Sequence, residues 1–305
     1  MGARFFYYVK KLFMYKKWFA YTACLASLAV VNIYYHRHFF IQKWMYYSVK
    51  DQYVVISLTT TPYRIDKIQP TIDSLLSQNI SIKNIYLSIP YVFKRDNIEY
   101  IIPEWLRNNH KITILRTEDY GPATKLLGVL ASERLPHDAI IIVVDDDAIY
   151  PDNLALNLTY KAKSHPDRAI GIMGANPDYD AQGEINLDST LGLIKIKQAD
   201  ALVSILQGYA GVAYRAYFFD DTVFEVANTN EDCFNSDDIY LSFHLAKHNI
   251  PRQVLRNPYI SSCNIMWETS MAIENTALHK LTRTPTEKHH GCISYLQQQN
   301  PEVVF

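Results

Sequence analysis

Apolar residues in this chain fall into short continuous runs that alternate with segments of helical periodicity. Five runs of strand length lie at 53–58, 84–89, 111–115, 138–144 and 168–173. Two intervening segments, 66–78 and 121–134, repeat their apolar residues at helical spacing and predict helices. The run 138–144 is apolar after its first residue, which predicts a central strand. The alternation predicts an α/β fold, a mostly parallel sheet with helices on both faces.

The second half of the chain is less regular. Pro151 is predicted to begin a helix, and 177–200 is predicted to be an inserted loop with a hairpin. The segment 205–214 contains two glycines, Gly208 and Gly211, and predicts a strand that another part of the chain approaches closely. A further helix is predicted over 237–247, preceded by the cap residue Ser236 and with two acids in its first turn.

The N-terminus differs in pattern from the rest. A basic leader precedes an uncharged run over 18–35, about as long as a bilayer-spanning helix, with aromatic residues at its ends. We expect a basic cytoplasmic tail over 1–17, a transmembrane signal anchor over 18–35, a stem over 36–50 and one large unit over 51–305. The alternatives are a signal peptide that is cleaved and a buried helix. An anchor would place the large unit outside the cytosol, in the Golgi or ER lumen of a eukaryote or at a bacterial inner membrane.

Charge and cysteine content narrow the class of protein. The net charge of −1 provides no basic field for phosphates, which argues against nucleic-acid binding. Cys24 lies in the predicted anchor. In an oxidising compartment, two of Cys233, Cys263 and Cys292 could form a disulfide, and the sequence leaves the pairing open. We find no Cys-x-x-Cys and no Cys/His metal spacing.

Three consecutive carboxylates, Asp145, Asp146 and Asp147, directly follow the predicted central strand. The carboxyl ends of parallel strands open onto the ligand crevice of such sheets. Three adjacent carboxylates repel one another, and a divalent cation bound to a diphosphate would resolve this repulsion. Alternation along extended backbone predicts that Asp145 and Asp147 point one way and Asp146 the other. The alternative is a solvated acidic turn before a helix.

Other polar residues follow other predicted strands. Thr60 and Arg64 lie in the loop after the first strand, where Arg64 is a candidate phosphate or base ligand. After the third strand, Asp119 is placed to accept a hydrogen bond from a base or ribose, and Lys125 to neutralise phosphate. Asp237 and Asp238 begin a predicted helix, where a carboxylate can hold an acceptor hydroxyl or take its proton. The alternative for this pair is a plain first-turn role.

The motifs together resemble those of GT-A-fold glycosyltransferases, in particular the exostosin-like and family-2-like groups. They occur in the family's order over about residues 53 to 250. The matching pieces are Thr59-Thr-Thr-Pro-Tyr-Arg64, Glu118-Asp-Tyr-Gly-Pro-Ala-Thr-Lys125, Val143-Val-Asp-Asp-Asp147, Gly208-Tyr-Ala-Gly-Val-Ala-Tyr-Arg215 and Asn235-Ser-Asp-Asp-Ile239. The exostosin-like group places a Cys immediately before its acidic pair, where this chain has Ser236.

The resemblance implies a GT-A-like, Rossmann-type fold and a role for each matched residue. Asp147 would bind the metal, and Asp145 the metal or the nucleotide. The nucleotide-binding set would comprise Thr60, Arg64, Asp119, Lys125, Asp145 and Asp146. The segment 208–211 would line the acceptor side, and Asp237 or Asp238 would face the acceptor or the sugar as catalytic residues. A C-terminal histidine would complete the metal or diphosphate site, for which His279, His289 and His290 are candidates.

The implied activity is transfer of a sugar from a nucleotide sugar, a UDP-sugar, to a hydroxyl of a glycan or glycoconjugate, with Mn²⁺ or Mg²⁺ as cofactor. A metal-dependent nucleotidyltransferase or phosphohydrolase also uses clustered Asp residues and is the alternative enzyme class. A third alternative is a non-catalytic glycan-binding relative.

Overall fold

The computed structural model describes residues 27, 37, 39–179, 193–196, 200–255, 266–267 and 285–303. The chain divides into two units, Met1–Ser48 and Val49–Phe305. Within the described residues the strands are β1 Val54–Thr59, β2 Asn84–Pro90, β3 Ile112–Thr117, β4 Ile140–Val143, β5 Ala148–Ile149, β6 Ala169–Gly171, β7 Gly174–Pro177, β8 Leu193–Ile196, β9 Ile205–Leu206, β10 Val212–Tyr214, β11 Arg252–Val254 and β12 Met266–Trp267. The α-helices of the second unit are α1 Gln69–Leu76, α2 Glu104–Arg107, α3 Thr124–Ser132, α4 Leu154–Ser164, α5 Glu231–Phe234, α6 Asp237–Lys247 and α7 Pro285–Gln299.

A seven-stranded sheet forms the centre of the second unit, in the order β11-β6-β10-β4-β1-β2-β3. Strand β1 pairs in parallel with both β2 and β4, and β2 pairs in parallel with β3. Strand β10 is antiparallel to its neighbours β4 and β6. The predicted mostly parallel, Rossmann-like α/β architecture with helices on both faces is therefore confirmed.

The core follows from the apolar runs. Every residue of β4 is buried, as expected for a strand with a neighbour on each side and helices against the sheet. Helix α3 packs on β1, β2 and β3, and α4 packs on β4, β6 and β10. The approach of α3 is very close at Gly128, where an added Cβ would lie 2.5 Å from the Cβ of Ser88 on β2. This contact brings the middle of α3 close against β2.

Several boundaries differ from the sequence-based expectation. Pro151 does not begin a helix, since α4 starts at Leu154. The predicted strand 205–214 is divided into β9 and β10 by the 3₁₀ turn Gly208–Ala210, and Gly211 follows it with φ +100°. Ser236 occupies the position before α6, but its side chain makes no capping hydrogen bond. Strand β8 lies in the segment 177–200 and pairs antiparallel with β7, which precedes that segment except for Pro177. Residues 180–192 lie outside the described part of the chain, so the predicted hairpin stays a prediction.

The predicted anchor lies outside the described residues except for Ser27. Among the helices that the structure describes, none has the length and hydropathy needed to cross a bilayer. Residues 39–49, most of the predicted stem, are helical. The tail, anchor and stem boundaries therefore stay predictions.

Candidate active site

The Asp triplet lies at the carboxyl end of β4, beside the end of β1. The two strands are in register from Val54–Ile140 to Ser57–Val143, and the Val144 amide donates to the Ser57 carbonyl at 3.1 Å. This pairing brings the loop after β1 against the triplet. It is the edge of a parallel sheet at which ligands bind in open α/β proteins.

Asp146 points inward and is held by the β1 loop. Its side chain is 1% exposed, and its Oδ2 accepts hydrogen bonds from Thr60 Oγ1 at 2.5 Å and Arg64 Nε at 3.0 Å. A second Arg64 nitrogen donates to Oδ1 of Asp146, which completes a bidentate pair. The carbonyl of Asp146 accepts a hydrogen bond from Thr71 on α1. Both carboxylate oxygens are thus occupied by protein groups.

Asp145 and Asp147 are more exposed than Asp146. Their side chains are 32% and 23% exposed. The alternation predicted for the three side chains stays a prediction, because Asp146 and Asp147 lie in a bend. Arg64 Nη1 contacts Asp147 Oδ2 at 3.2 Å, whereas Asp147 Oδ1 is buried without a hydrogen-bond partner among the described residues. Burial, followed by the charges of Asp145 and Asp146, raises the pKa of Asp147 to about 7. An unpartnered carboxylate oxygen beside a second carboxylate fits the oxygen-ligand chemistry of Mg²⁺ or Mn²⁺.

Lys125 joins the triplet to the second acidic pair. Its Nζ lies 2.5 Å from Asp145 Oδ1 and 2.8 Å from Asp237 Oδ2, and the residue is almost fully buried. Burial lowers the pKa of Lys125, but the charges of Asp145 and Asp237 outweigh it and hold the pKa well above its ordinary value. The Lys125 carbonyl accepts a hydrogen bond from Ser57 Oγ at 2.5 Å, which ties the start of α3 to β1.

Asp237 and Asp238 lie in the first turn of α6, as predicted. Asp238 Oδ1 accepts a hydrogen bond from the Gly208 amide at 2.8 Å. Burial, followed by the charge of Asp237, raises the pKa of Asp238 to about 8. An added Cβ at Gly208 would lie 2.9 Å from Lys125 Nζ and 3.1 Å from Asp238 Oδ1. The close backbone approach predicted for this glycine is therefore present.

Asp119 is buried and links two loops. Its Oδ2 accepts from the Lys94 amide and its Oδ1 from the Gly121 amide, both at 2.8 Å. Gly121 has φ +60°, and a Cβ there would lie 2.5 Å from the carbonyl oxygen of Phe234 on α5. The structure therefore gives Asp119 a role in loop positioning, while its predicted contact with a nucleotide stays a prediction.

Two buried groups were missed by the sequence analysis. The hydroxyl of Tyr150 accepts from the Asp145 amide at 2.9 Å and donates to the Tyr209 carbonyl at 2.8 Å. Thr71, noted above, fixes the backbone of Asp146. Tyr150 follows the triplet closely in sequence and could have been noticed, whereas only the fold brings Thr71 to it.

The C-terminal helix is joined to the helix that precedes the acidic pair. Cys233 on α5 forms a disulfide with Cys292 on α7, which resolves the pairing left open by the sequence. Cys263 and the candidate His279 lie outside the described residues. His289 and His290 both lie on α7, and His290 Nε2 is 3.4 Å from Ser294 Oγ. The predicted histidine ligand therefore stays a prediction.

Comparisons with known proteins give only distant similarity. No family model matches the chain, and no curated protein matches it. Among solved structures, the chain is similar to 2-C-methyl-D-erythritol 4-phosphate cytidylyltransferase of Francisella tularensis at 13% identity and a TM-score of 0.40, over 72% of this chain and 94% of that one. It is also similar to residues 1–349 of S. aureus TarS at 12% identity and a TM-score of 0.38, over 67% of this chain and 58% of that one. Similarity this distant carries no information about function.

Proposed function

We propose that this protein is a metal-dependent glycosyltransferase of the GT-A type, which transfers a sugar from a UDP-sugar to a hydroxyl of a glycan or glycoconjugate. One observation carries the proposal. Five carboxylates, those of Asp145, Asp146, Asp147, Asp237 and Asp238, meet two cationic side chains, those of Arg64 and Lys125, at the carboxyl edge of the sheet. The excess of negative charge favours a divalent cation there.

Asp145 and Asp147 are the residues that would hold the cation. Their side chains are more exposed than that of Asp146, and Asp147 has an oxygen without a partner among the described residues. A bound Mn²⁺ or Mg²⁺ would supply Lewis-acid stabilisation for the departing diphosphate. Asp146 has a different role in this proposal, because its oxygens hold Arg64 in place.

The charged side chains of Arg64 and Lys125 would then face the donor phosphates. Arg64 is fixed by Asp146 and extends a nitrogen to Asp147, so it is already oriented at the edge of the metal site. Burial lowers the pKa of Arg64, but the neighbouring carboxylates raise it overall, so the guanidinium stays charged. Lys125 would neutralise phosphate, while Thr60 and Asp119 shape the loops around the nucleotide.

Asp237 and Asp238 on α6 would position the acceptor and take up its proton. As the acceptor oxygen forms its bond to the anomeric carbon and the bond to the diphosphate breaks, the hydroxyl proton must pass to a base. Oδ2 of Asp237 lies 2.8 Å from Nζ of Lys125. The pKa of about 8 keeps Asp238 protonated near neutral pH, so it is suited to donating a hydrogen bond. We therefore assign the base to Asp237 and sugar or acceptor positioning to Asp238.

The N-terminal pattern completes the proposal. A signal anchor over 18–35 would place the enzyme on a membrane with its catalytic unit outside the cytosol. The Cys233–Cys292 disulfide supports this location, since such bonds persist in oxidising compartments. The membrane would be that of the Golgi or ER in a eukaryote, or the inner membrane of a bacterium.

The test incubates the full chain and Mn²⁺ with a panel of nucleotide sugars and, separately, with nucleoside triphosphates. Nucleoside diphosphate, nucleoside monophosphate and pyrophosphate are quantified separately. Glycosyl transfer, or slow hydrolysis of the donor without an acceptor, releases the diphosphate. The alternative nucleotidyltransferase or phosphohydrolase would produce the monophosphate or consume a nucleoside triphosphate. Absence of diphosphate release from every donor, with turnover of a triphosphate instead, would overturn the proposal in favour of that alternative.

A further inference from the structure

A second group of metal-ligand side chains lies at the opposite end of α6 from the acidic pair. Asp220, His244 and His248 each offer a ligand atom, and these atoms lie within 4.8 Å of one another. The two histidines are four residues apart, so they share one helix face. Asp220 comes from the segment that precedes the 3₁₀ helix Asp221–Asn228. Nothing in the proposed transfer reaction uses these three residues.

The environment of His244 indicates that a ligand binds here. His244 is 4% exposed, and its Nδ1 is buried without a hydrogen-bond partner in the described part of the chain. A buried ring nitrogen without a partner is unfavourable in a protein interior. An imidazole nitrogen with a free lone pair is a common ligand of metal ions.

Asp220 is already oriented as a ligand. Its Oδ1 accepts hydrogen bonds from the Thr222 amide at 3.0 Å and from the Thr222 hydroxyl at 2.5 Å. These bonds fix the orientation of the Asp220 carboxylate. Its Oδ2 is directed at His248 Nε2, 3.3 Å away, without hydrogen-bond geometry. Outer hydrogen bonds of this kind fix the orientation of carboxylate ligands in metal sites.

The separation of the Asp220 and His248 ligand atoms suits a small tetrahedral ion. Two ligands about 2.1 Å from a tetrahedral ion lie about 3.4 Å apart, close to the separation of Asp220 and His248. Two imidazoles and one carboxylate are ligands for Zn²⁺ and similar transition ions, whereas Mg²⁺ and Ca²⁺ prefer oxygen alone. Nζ of Lys247 donates a hydrogen bond to the Thr222 hydroxyl at 3.0 Å, which fixes the position of this ammonium group.

We propose that Asp220, His244 and His248 form a transition-metal site of the Zn²⁺ class, with water as the fourth ligand. The ion would fasten the C-terminal end of α6 to the segment around Asp220. It would be separate from the Mn²⁺ or Mg²⁺ site at the Asp triplet and does not depend on the proposed glycosyl transfer.

The experiment titrates Zn²⁺ and Co²⁺ into the chelator-treated, untagged full chain, with calorimetry for Zn²⁺ and visible absorption for Co²⁺. His248→Ala and Asp220→Asn carry the test, because these positions are partly exposed and the variants should fold. Unchanged melting temperatures in chelator confirm folding. His110→Ala, an exposed histidine elsewhere in the second unit, is the matched control.

We expect the intense visible absorption of tetrahedral cobalt in the wild type, in His110→Ala and in Asp147→Ala. Each of the two test variants should lose at least tenfold in Zn²⁺ affinity, and Zn²⁺ should raise the melting temperature of the wild type but not of Asp220→Asn. Wild-type Zn²⁺ affinity in both variants, no Zn²⁺ binding by the wild type, or weak octahedral cobalt absorption would overturn the proposal.

Discussion

The Nζ atom of Lys125 lies 2.8 Å from Oδ2 of Asp237, which joins the start of α3 to the start of α6. The same nitrogen contacts Asp145, so one lysine connects the proposed metal-binding carboxylates to the proposed acceptor carboxylates. A cation bound at the triplet and a proton taken up by the acidic pair are thus electrostatically linked through a single buried charge.

Removal of the Lys125 charge should destabilise the folded protein. Lys125→Met leaves Asp145 and Asp237 without their cation, and we expect the free energy of unfolding to fall by about 3 kcal/mol. Adding Asp237→Asn should restore part of that loss, because it removes one of the unpaired charges. Denaturant unfolding of the two single variants and the double variant measures this coupling. Lys83→Met, at an exposed position, is the control, and additive effects of the two substitutions would contradict the ion pair.

Mn²⁺ affinity should rise with pH. Because the pKa of Asp147 is raised to about 7, a proton competes with the cation at this carboxylate below that pH. We expect Mn²⁺ binding measured by calorimetry to strengthen between pH 6 and pH 8 by about tenfold. Asp147→Ala should abolish it, and Asp73→Asn on the exposed side of α1 should have no effect. A pH-independent affinity would show that Asp147 is not a ligand.

Whereas Mn²⁺ affinity should rise with pH, the stability of the metal-free protein should fall as the pH rises. The folded pKa of Asp238, about 8, lies above that of the unfolded chain, so the folded state binds the extra proton between these values. Its contribution to stability is complete below about pH 4 and is lost as the pH rises through about 8. Unfolding in chelator from pH 5 to 9 should give a declining stability in the wild type and a flatter curve in Asp238→Asn. Identical slopes in the two proteins would refute the assignment.

The disulfide should stabilise the catalytic unit. Cys233 and Cys292 are 59 residues apart in sequence, and closing a loop of that length stabilises by about 4 kcal/mol in the chain-entropy account. We expect Cys292→Ser to lower the melting temperature to that of the reduced wild type, with no further effect of reductant. Cys24→Ala should melt like the wild type and keep its sensitivity to reductant. A Cys292→Ser variant that melts like the oxidised wild type would contradict the bond.

The sequence predicts the local and periodic features well. The apolar runs identify β1 to β4 and β6, and the position of the Asp triplet follows because parallel strands end at a common edge. These features depend on a few neighbouring residues, so a single sequence contains them.

Long-range contacts could not be predicted in the same way. Two examples are the ion pairs of Arg64 with Asp146 and of Lys125 with Asp237. They depend on how loops from distant parts of the chain meet. The group of Asp220, His244 and His248 was also missed, although the spacing of its two histidines on a helix is visible in the sequence. The third ligand comes from a segment outside that helix, and only the fold brings it to them.

The most direct test of the central claim is calorimetric titration of UDP into the full chain with Mn²⁺ and, separately, with EDTA. A donor site built on Asp145 and Asp147 predicts UDP binding in Mn²⁺ and a loss of at least tenfold in EDTA or in Asp147→Ala, with Asp73→Asn behaving like the wild type. UDP binding of equal strength with and without Mn²⁺, or no binding in either condition, would contradict it.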